Sequence, residues 1–278
     1  MAFEFQVQDP EAQRIYEAAD VCIYCNRSEA EAGDLKKEHV FPLGLGGKHV
    51  LPKASCLRCA ALTGSLEGKL LRGPLWPVRV RLGIHSGRRP GEQPTDFDVE
   101  FCIKEQIKKL RLPIADIPVS ITLPILEPSA ISTGRPWAKD GSYKACTVIS
   151  FDEGFILDSF AKATVKAFAD AISLGQAIHP ILWMRLIAKI LHGYAFANCK
   201  IFTPYLQNII LGKDDEMAAY YVGASSVEIP TDGLRSSRSW VGLSLGAMGD
   251  KKVIIGFVSV LLPYIKMPFM AVIGELNG

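Results

Sequence analysis

The chain has 278 residues, 49% hydrophobic and 22% charged, with a formal net charge of +2; this is globular composition at a length for about two domains. The near-neutral balance excludes a globally basic chain, so any contact with phosphates must come from a local patch. The longest apolar run, residues 253–262, is too short to cross a bilayer as a helix, the first five residues carry no secretion signal, and seven cysteines are an odd number, so the expectation is a cytoplasmic protein without disulfides or a membrane partner.

In chain order, the pattern predicts a short helix over residues 11–19 and then a unit bracketed by two cysteine pairs, Cys22-Ile23-Tyr24-Cys25 and Cys56-Leu57-Arg58-Cys59. Each pair puts two thiolates within reach of one ion, and together they complete the four-sulfur tetrahedron that structural Zn2+ prefers. Cys102, Cys146 and Cys199 are left without paired spacing. Inside the bracket, Glu38-His39-Val40-Phe41-Pro42 reads as a strand, Gly44 to Gly47 as a turn, and residues 50–55 as the returning partner. Cys56 then opens a helix reaching about Leu71. A hairpin followed by a helix, with thiolates in an upstream knuckle and at the helix start, is a ββα or treble-clef-like arrangement. So small a unit has little core of its own, and the metal is expected to hold it together.

The organisation changes near residue 76, which suggests an N-terminal domain over 1–76 and a second domain over 77–278. Arg79, Arg81, Arg88 and Arg89, among glycines and prolines, read as strand then loop, facing either phosphates or solvent and local acids. Residues 95–101 alternate as a half-buried strand with Asp96, Asp98 and Glu100 toward water. Helices are expected over 158–174 and 180–199, the second with Pro180 in its first turn and apolar residues over most of its circumference. Its exceptions, Arg185, Lys189 and His192, share one face. They read as an exposed polar stripe, or else as a grip on an anionic ligand or a nucleic-acid backbone. Asp214-Asp215-Glu216 reads as a charged turn, and strands are expected over 217–223, 252–261 and 268–274. The fold class is α+β: a small zinc-stabilised ββα domain followed by a mixed α/β domain open to substrate binding, regulation by a ligand or protein partner, or homodimerisation.

The bracketed unit resembles the HNH endonucleases of the ββα-metal type with a zinc-binding cysteine pair at each end. The residues that carry the resemblance are the two C-x2-C pairs, Glu38-His39-Val40-Phe41-Pro42 with its glycine turn, and Ala54-Ser55 before Cys56, with Thr63 and Glu67 behind the last cysteine. The resemblance covers roughly residues 20–72. It implies hydrolysis of phosphodiester bonds in nucleic acid, DNA before RNA, with His39 as general base and Glu38 as ligand to a catalytic Mg2+ or Mn2+. The family's polar ligand after the last cysteine is replaced by Ala60. Thr63 and Glu67 are the candidates to bind the ion in its place, and His49 is a further one. Because adjacent strand residues point to opposite faces, Glu38 and His39 can serve one centre only if the backbone twists between them. Arg58, Lys69, Arg72, Lys36, Lys37 and Lys48 offer a local phosphate-binding surface. The alternative is a catalytically inactive zinc module that binds nucleic acid or a protein partner.

Overall fold

The computed structural model describes residues 6–84, 94–136, 145–151, 171–172, 176–199, 201–226 and 237–276. Among them the strands are β1 (Gln6–Gln8), β2 (Arg14–Ile15), β3 (Lys36–His39), β4 (His49–Ser55), β5 (Asp96–Ile103), β6 (Gln106–Pro113), β7 (Ser120–Pro124) and β8 (Cys146–Ser150). They continue with β9 (Ala171–Ile172), β10 (Gln176–Ala177), β11 (Phe202–Pro204), β12 (Val222–Ala224), β13 (Trp240–Met248), β14 (Lys251–Ser259) and β15 (Phe269–Leu276). The result is a mixed α+β molecule.

The largest sheet runs β1-β13-β14-β15-β11, with β12 also paired to β15, and every pairing in it is antiparallel. Its central hairpin closes between Met248 and Lys251, where Gly249, at φ 58°, takes the left-handed position a two-residue turn demands. Three smaller sheets are ordered β10-β7-β8, β2-β4-β3 and β6-β5-β9.

A single long helix, Pro180–Asn198, organises the molecule. Proline sits in its first turn, where a missing N–H costs nothing, and Trp183, Leu186, Ile187, Ile190 and Leu191 are fully buried. One side lies on the large sheet so closely that a Cβ on Gly256 would meet Leu191 Cδ2 at 3.0 Å. The other side lies on the hairpin β3–β4, where a Cβ on Gly193 would sit 3.6 Å from Val40 Cα. The hydrophobic core therefore continues across residue 76, from Tyr16 and Ile23 through the helix to Ile273.

Several expectations are corrected. The face carrying Lys189 and His192 is not exposed: both side chains are fully buried and are aimed at the cysteine-bracketed unit. His192 Nε2 lies 2.8 Å from the Ile23 carbonyl, and the imidazole stacks on Tyr24 at 5.8 Å. Arg185 donates to the Ile210 carbonyl and faces Asp215 at 3.7 Å. Residues 11–19 are extended rather than helical, because Arg14, Tyr16 and Ala19 donate their N–H groups to the carbonyls of Lys48, Val50 and Pro52 along β4. That tertiary pairing outweighs the local pattern. Trp76–Arg81 is a helix instead of a strand, with Pro77 in its first turn. Arg81 is held by the Ile114 and Ile117 carbonyls, while Arg88 and Arg89 lie outside the described residues. The segment expected as a strand over 217–223 opens with a helical turn, Ala218–Tyr221, before β12. The helix expected over 158–174 lies outside the described residues except for β9.

Burial holds His192 neutral in the folded protein. Its pKa is pushed down to about 4 by desolvation, with the Ile23 carbonyl pulling the other way. Between the ordinary value of about 6.5 and 4 the unfolded chain takes up a proton that the folded chain refuses, so stability should fall by up to roughly 3 kcal/mol across that window. Urea unfolding at a series of pH values should show this slope, and His192→Gln should flatten it.

Candidate functional site

The first cysteine pair is shaped by a tight knuckle. Cys25 and Asn26 both donate backbone N–H groups to the Cys22 carbonyl, at 3.2 and 2.7 Å, and Asn26 adopts the left-handed φ of 56° that turns the chain back. The second pair is placed by the helix Leu57–Leu71, with Cys56 at its N-cap and Cys59 one turn inside. The sulfurs of Cys22, Cys25, Cys56 and Cys59 lie within 4.8 Å of one another and could hold a metal such as zinc. The Cys25–Cys56 separation of 3.9 Å compares with about 3.8 Å for the edge of a tetrahedron with Zn–S bonds of about 2.3 Å.

The protonation chemistry fits that use. Burial raises the Cys22 thiol, and burial together with the neighbouring sulfurs raises Cys59. Burial also opposes ionisation of Cys25, but Arg27, whose Nε donates to its sulfur at 3.4 Å, and the adjoining thiols bring it down to about 7. Three buried thiols and the half-buried Cys25 deprotonate together only against a cation, so binding the ion and releasing the protons are one event.

Next to the thiols lies a second polar cluster. Antiparallel β3 and β4 form the expected hairpin, with a register irregularity between Lys36 and Glu38. Glu38 is 8% exposed. Its Oε1 lies 2.8 Å from the Nζ of Lys189, which in turn lies 2.8 Å from Glu67 Oε1 on the helix Leu57–Leu71. A third donation from the same Nζ goes to the carbonyl of His39 at 2.5 Å. Burial works against the Lys189 charge, but Glu38 and Glu67 overcome it and raise its pKa. Tyr24, buried beside the cluster, is driven well above the usual phenol range by desolvation and by the two carboxylates.

His39 is half-buried. Its Nδ1 is shielded from solvent without a hydrogen-bond partner among the described residues. Burial, then the positive charges of Lys189 and Lys37, lower its pKa, so the imidazole is neutral near pH 7. Thr63 does not join this group: its hydroxyl is buried and donates to the carbonyls of Cys59 and Ala60 at 3.2 and 3.3 Å. His49 is a core residue, its Nδ1 3.0 Å from the Tyr16 hydroxyl. Arg58, Lys69, Arg72, Lys36, Lys37 and Lys48 are all exposed. Beside Glu67, a cavity of about 380 Å³ opens between the helices Leu57–Leu71 and Trp76–Arg81, lined in part by Arg72, Trp76 and Arg79.

The residues present do not fit a divalent ion at Glu38. Its carboxylate is paired with a buried ammonium, Ala60 brings no donor, Thr63 is bonded to its own helix, and the four cysteines are the one potential metal cluster among the described residues. No helix among those residues is long and apolar enough to cross a membrane.

Compared with protein-family models, curated proteins and solved structures, the chain matches none.

Lys189, singled out in the sequence together with Arg185 and His192 but read first as part of an exposed stripe, is a buried member of the site. The signal was present: a lysine on a helix apolar around most of its circumference has to be buried, and a buried lysine needs partners.

Two outcomes follow. The purified chain should carry one zinc per molecule, and Cys56→Ser should lose the metal and lower the melting temperature of the fold into whose core the unit is built; a variant that keeps stoichiometric zinc would show that the thiols do not bind it as a set. Lys189→Met, which strands two carboxylates, should lower stability by about 3–5 kcal/mol in urea unfolding.

Proposed function

We propose that the chain is an HNH-type endonuclease, a phosphodiester hydrolase acting on nucleic acid, DNA before RNA. In this reading residues 20–72 are a treble-clef-like ββα unit held by structural zinc, and His39 is the general base. The observation that carries it is the placement of the half-buried His39 at the end of β3, in a hairpin braced by the four-thiol cluster and with its carbonyl held by Lys189, where burial and the charges of Lys189 and Lys37 lower the imidazole pKa. A neutral imidazole can take a proton from water as its oxygen attacks phosphorus, while the P–O ester bond opposite breaks and the departing sugar oxygen takes a proton from solvent. Structural zinc fixes the hairpin against the helix, and no step is routed through a catalytic Mg2+ or Mn2+. Glu38 and Glu67 hold Lys189, and Lys189 holds the His39 carbonyl, so these three groups orient the base. The exposed cations of the hairpin and helix supply contacts to the phosphate backbone, which are salt-sensitive and indifferent to sequence.

A second reading is favoured by the Glu38–Lys189 pair and by Ala60: a zinc module that binds nucleic acid without cutting it.

Zinc-loaded protein incubated with plasmid and single-stranded DNA, with and without added Mg2+ or Mn2+, separates the two. Cleavage should fall at least about 100-fold in His39→Ala, with zinc content and melting temperature unchanged. Equal cutting by His39→Ala would overturn the assignment of the base. Retarded migration of DNA without cleavage, in wild type and variant alike, would establish the second reading.

A further inference from the structure

An ammonium has three protons to donate and no acceptor capacity. Those of Lys189 are matched by three oxygens, Glu38 Oε1, Glu67 Oε1 and the His39 carbonyl. These acceptors come from the hairpin and from the helix behind the second cysteine pair, while the lysine comes from a helix far along the chain, 150 residues beyond His39. From this convergence we infer that Lys189 is the built-in cation of the Glu38–Glu67 pair, occupying the position a divalent ion would need and making that pair insensitive to Mg2+ and Mn2+.

Several independent features support the inference. The Lys189 side chain is 1% exposed, so it is not a surface arm that swings aside. The helix that carries it is packed closely on both sides, Leu191 against Gly256 on the large sheet and Gly193 against Val40 on the hairpin. Mg2+ requires near-octahedral oxygen coordination at about 2.0–2.1 Å and keeps several of its waters. With Nζ at 2.8 Å from both carboxylates, an ion bound between them would be crowded by a like charge and would have no room for that water shell. The inference rests on the proposed site only for the importance of Glu38, and it is tested by ion binding rather than by cleavage, so either can fail without the other.

The experiment uses the zinc-loaded full chain, titrated with Mn2+ and followed by loss of the free-ion electron paramagnetic resonance signal and by melting temperature. Wild type should bind no Mn2+ through Glu38 and show no shift in melting temperature. Lys189→Met should gain one Mn2+ per chain, bound at least tenfold more tightly than by wild type, and should melt higher with the ion than without it. Adding Glu38→Gln to that variant should abolish the gain. If Lys189→Met is unfolded without the ion, refolding on addition of Mn2+, read by circular dichroism, is the expected result. Binding of Mn2+ by wild type that Glu38→Gln removes would overturn the inference. So would a Lys189→Met protein that neither binds Mn2+ nor gains structure from it.

Discussion

A charge that is taken out of water must be answered, and Lys189 is the place where this chain meets that constraint. Burying an ammonium alone would cost several kcal/mol, so the helix Pro180–Asn198 can occupy the centre of the molecule only if Glu38 and Glu67 come to meet it. Those carboxylates sit on different elements of the cysteine-bracketed unit. The pairing therefore fixes three things together: where the hairpin ends, how the helix Leu57–Leu71 is rotated, and how both dock on the remainder of the fold. Replacing the cluster with apolar residues could cost little in stability, but it would remove this registration.

The four thiols and the central helix support one another. The knuckle at Cys22–Cys25 exposes the Ile23 carbonyl to the helix side, where His192 at 2.8 Å and Gln207 at 2.7 Å both contact it. Gln207 also donates to Asn26 Oδ1, at the turn of the same knuckle. A metal drawing the thiols together thus sets the position of a carbonyl that is bonded twice, while the helix supplies the apolar surface that so small a unit lacks. The unit is built into the core, and His39 stands half-buried at its edge, with its carbonyl held by Lys189 and its Nδ1 without a hydrogen-bond partner among the described residues.

What could be read from sequence was what has local spacing. The paired cysteines, the hairpin at 36–55, the helix after Cys56, the strand near 96–103 and the long helix at 180–198 follow from periodicity, turn residues and ligand spacing, none of which needs a distant partner. Errors occurred where tertiary contacts decide. The 11–19 segment has a helical pattern but is claimed as a strand-like edge by β4. Arg79 looks like a solvated or phosphate-facing charge, yet it is buried, donating to the Leu71 carbonyl at 2.8 Å. The polar face of the long helix is the clearest case: the apolar circumference of the helix argues for burial of Lys189 and His192, but only the three-dimensional fold reveals that these two face the unit that carries the site, while Arg185 turns to Ile210 and Asp215.

The most direct test of this account is a crystal structure of the zinc-loaded protein soaked in Mn2+, with anomalous scattering recorded at both metal edges. The account predicts a zinc peak among Cys22, Cys25, Cys56 and Cys59, a well-defined Lys189 side chain with its Nζ at hydrogen-bond distance from Glu38 and Glu67, and no manganese between the carboxylates. A manganese peak on Glu38 with the Lys189 side chain displaced would contradict it.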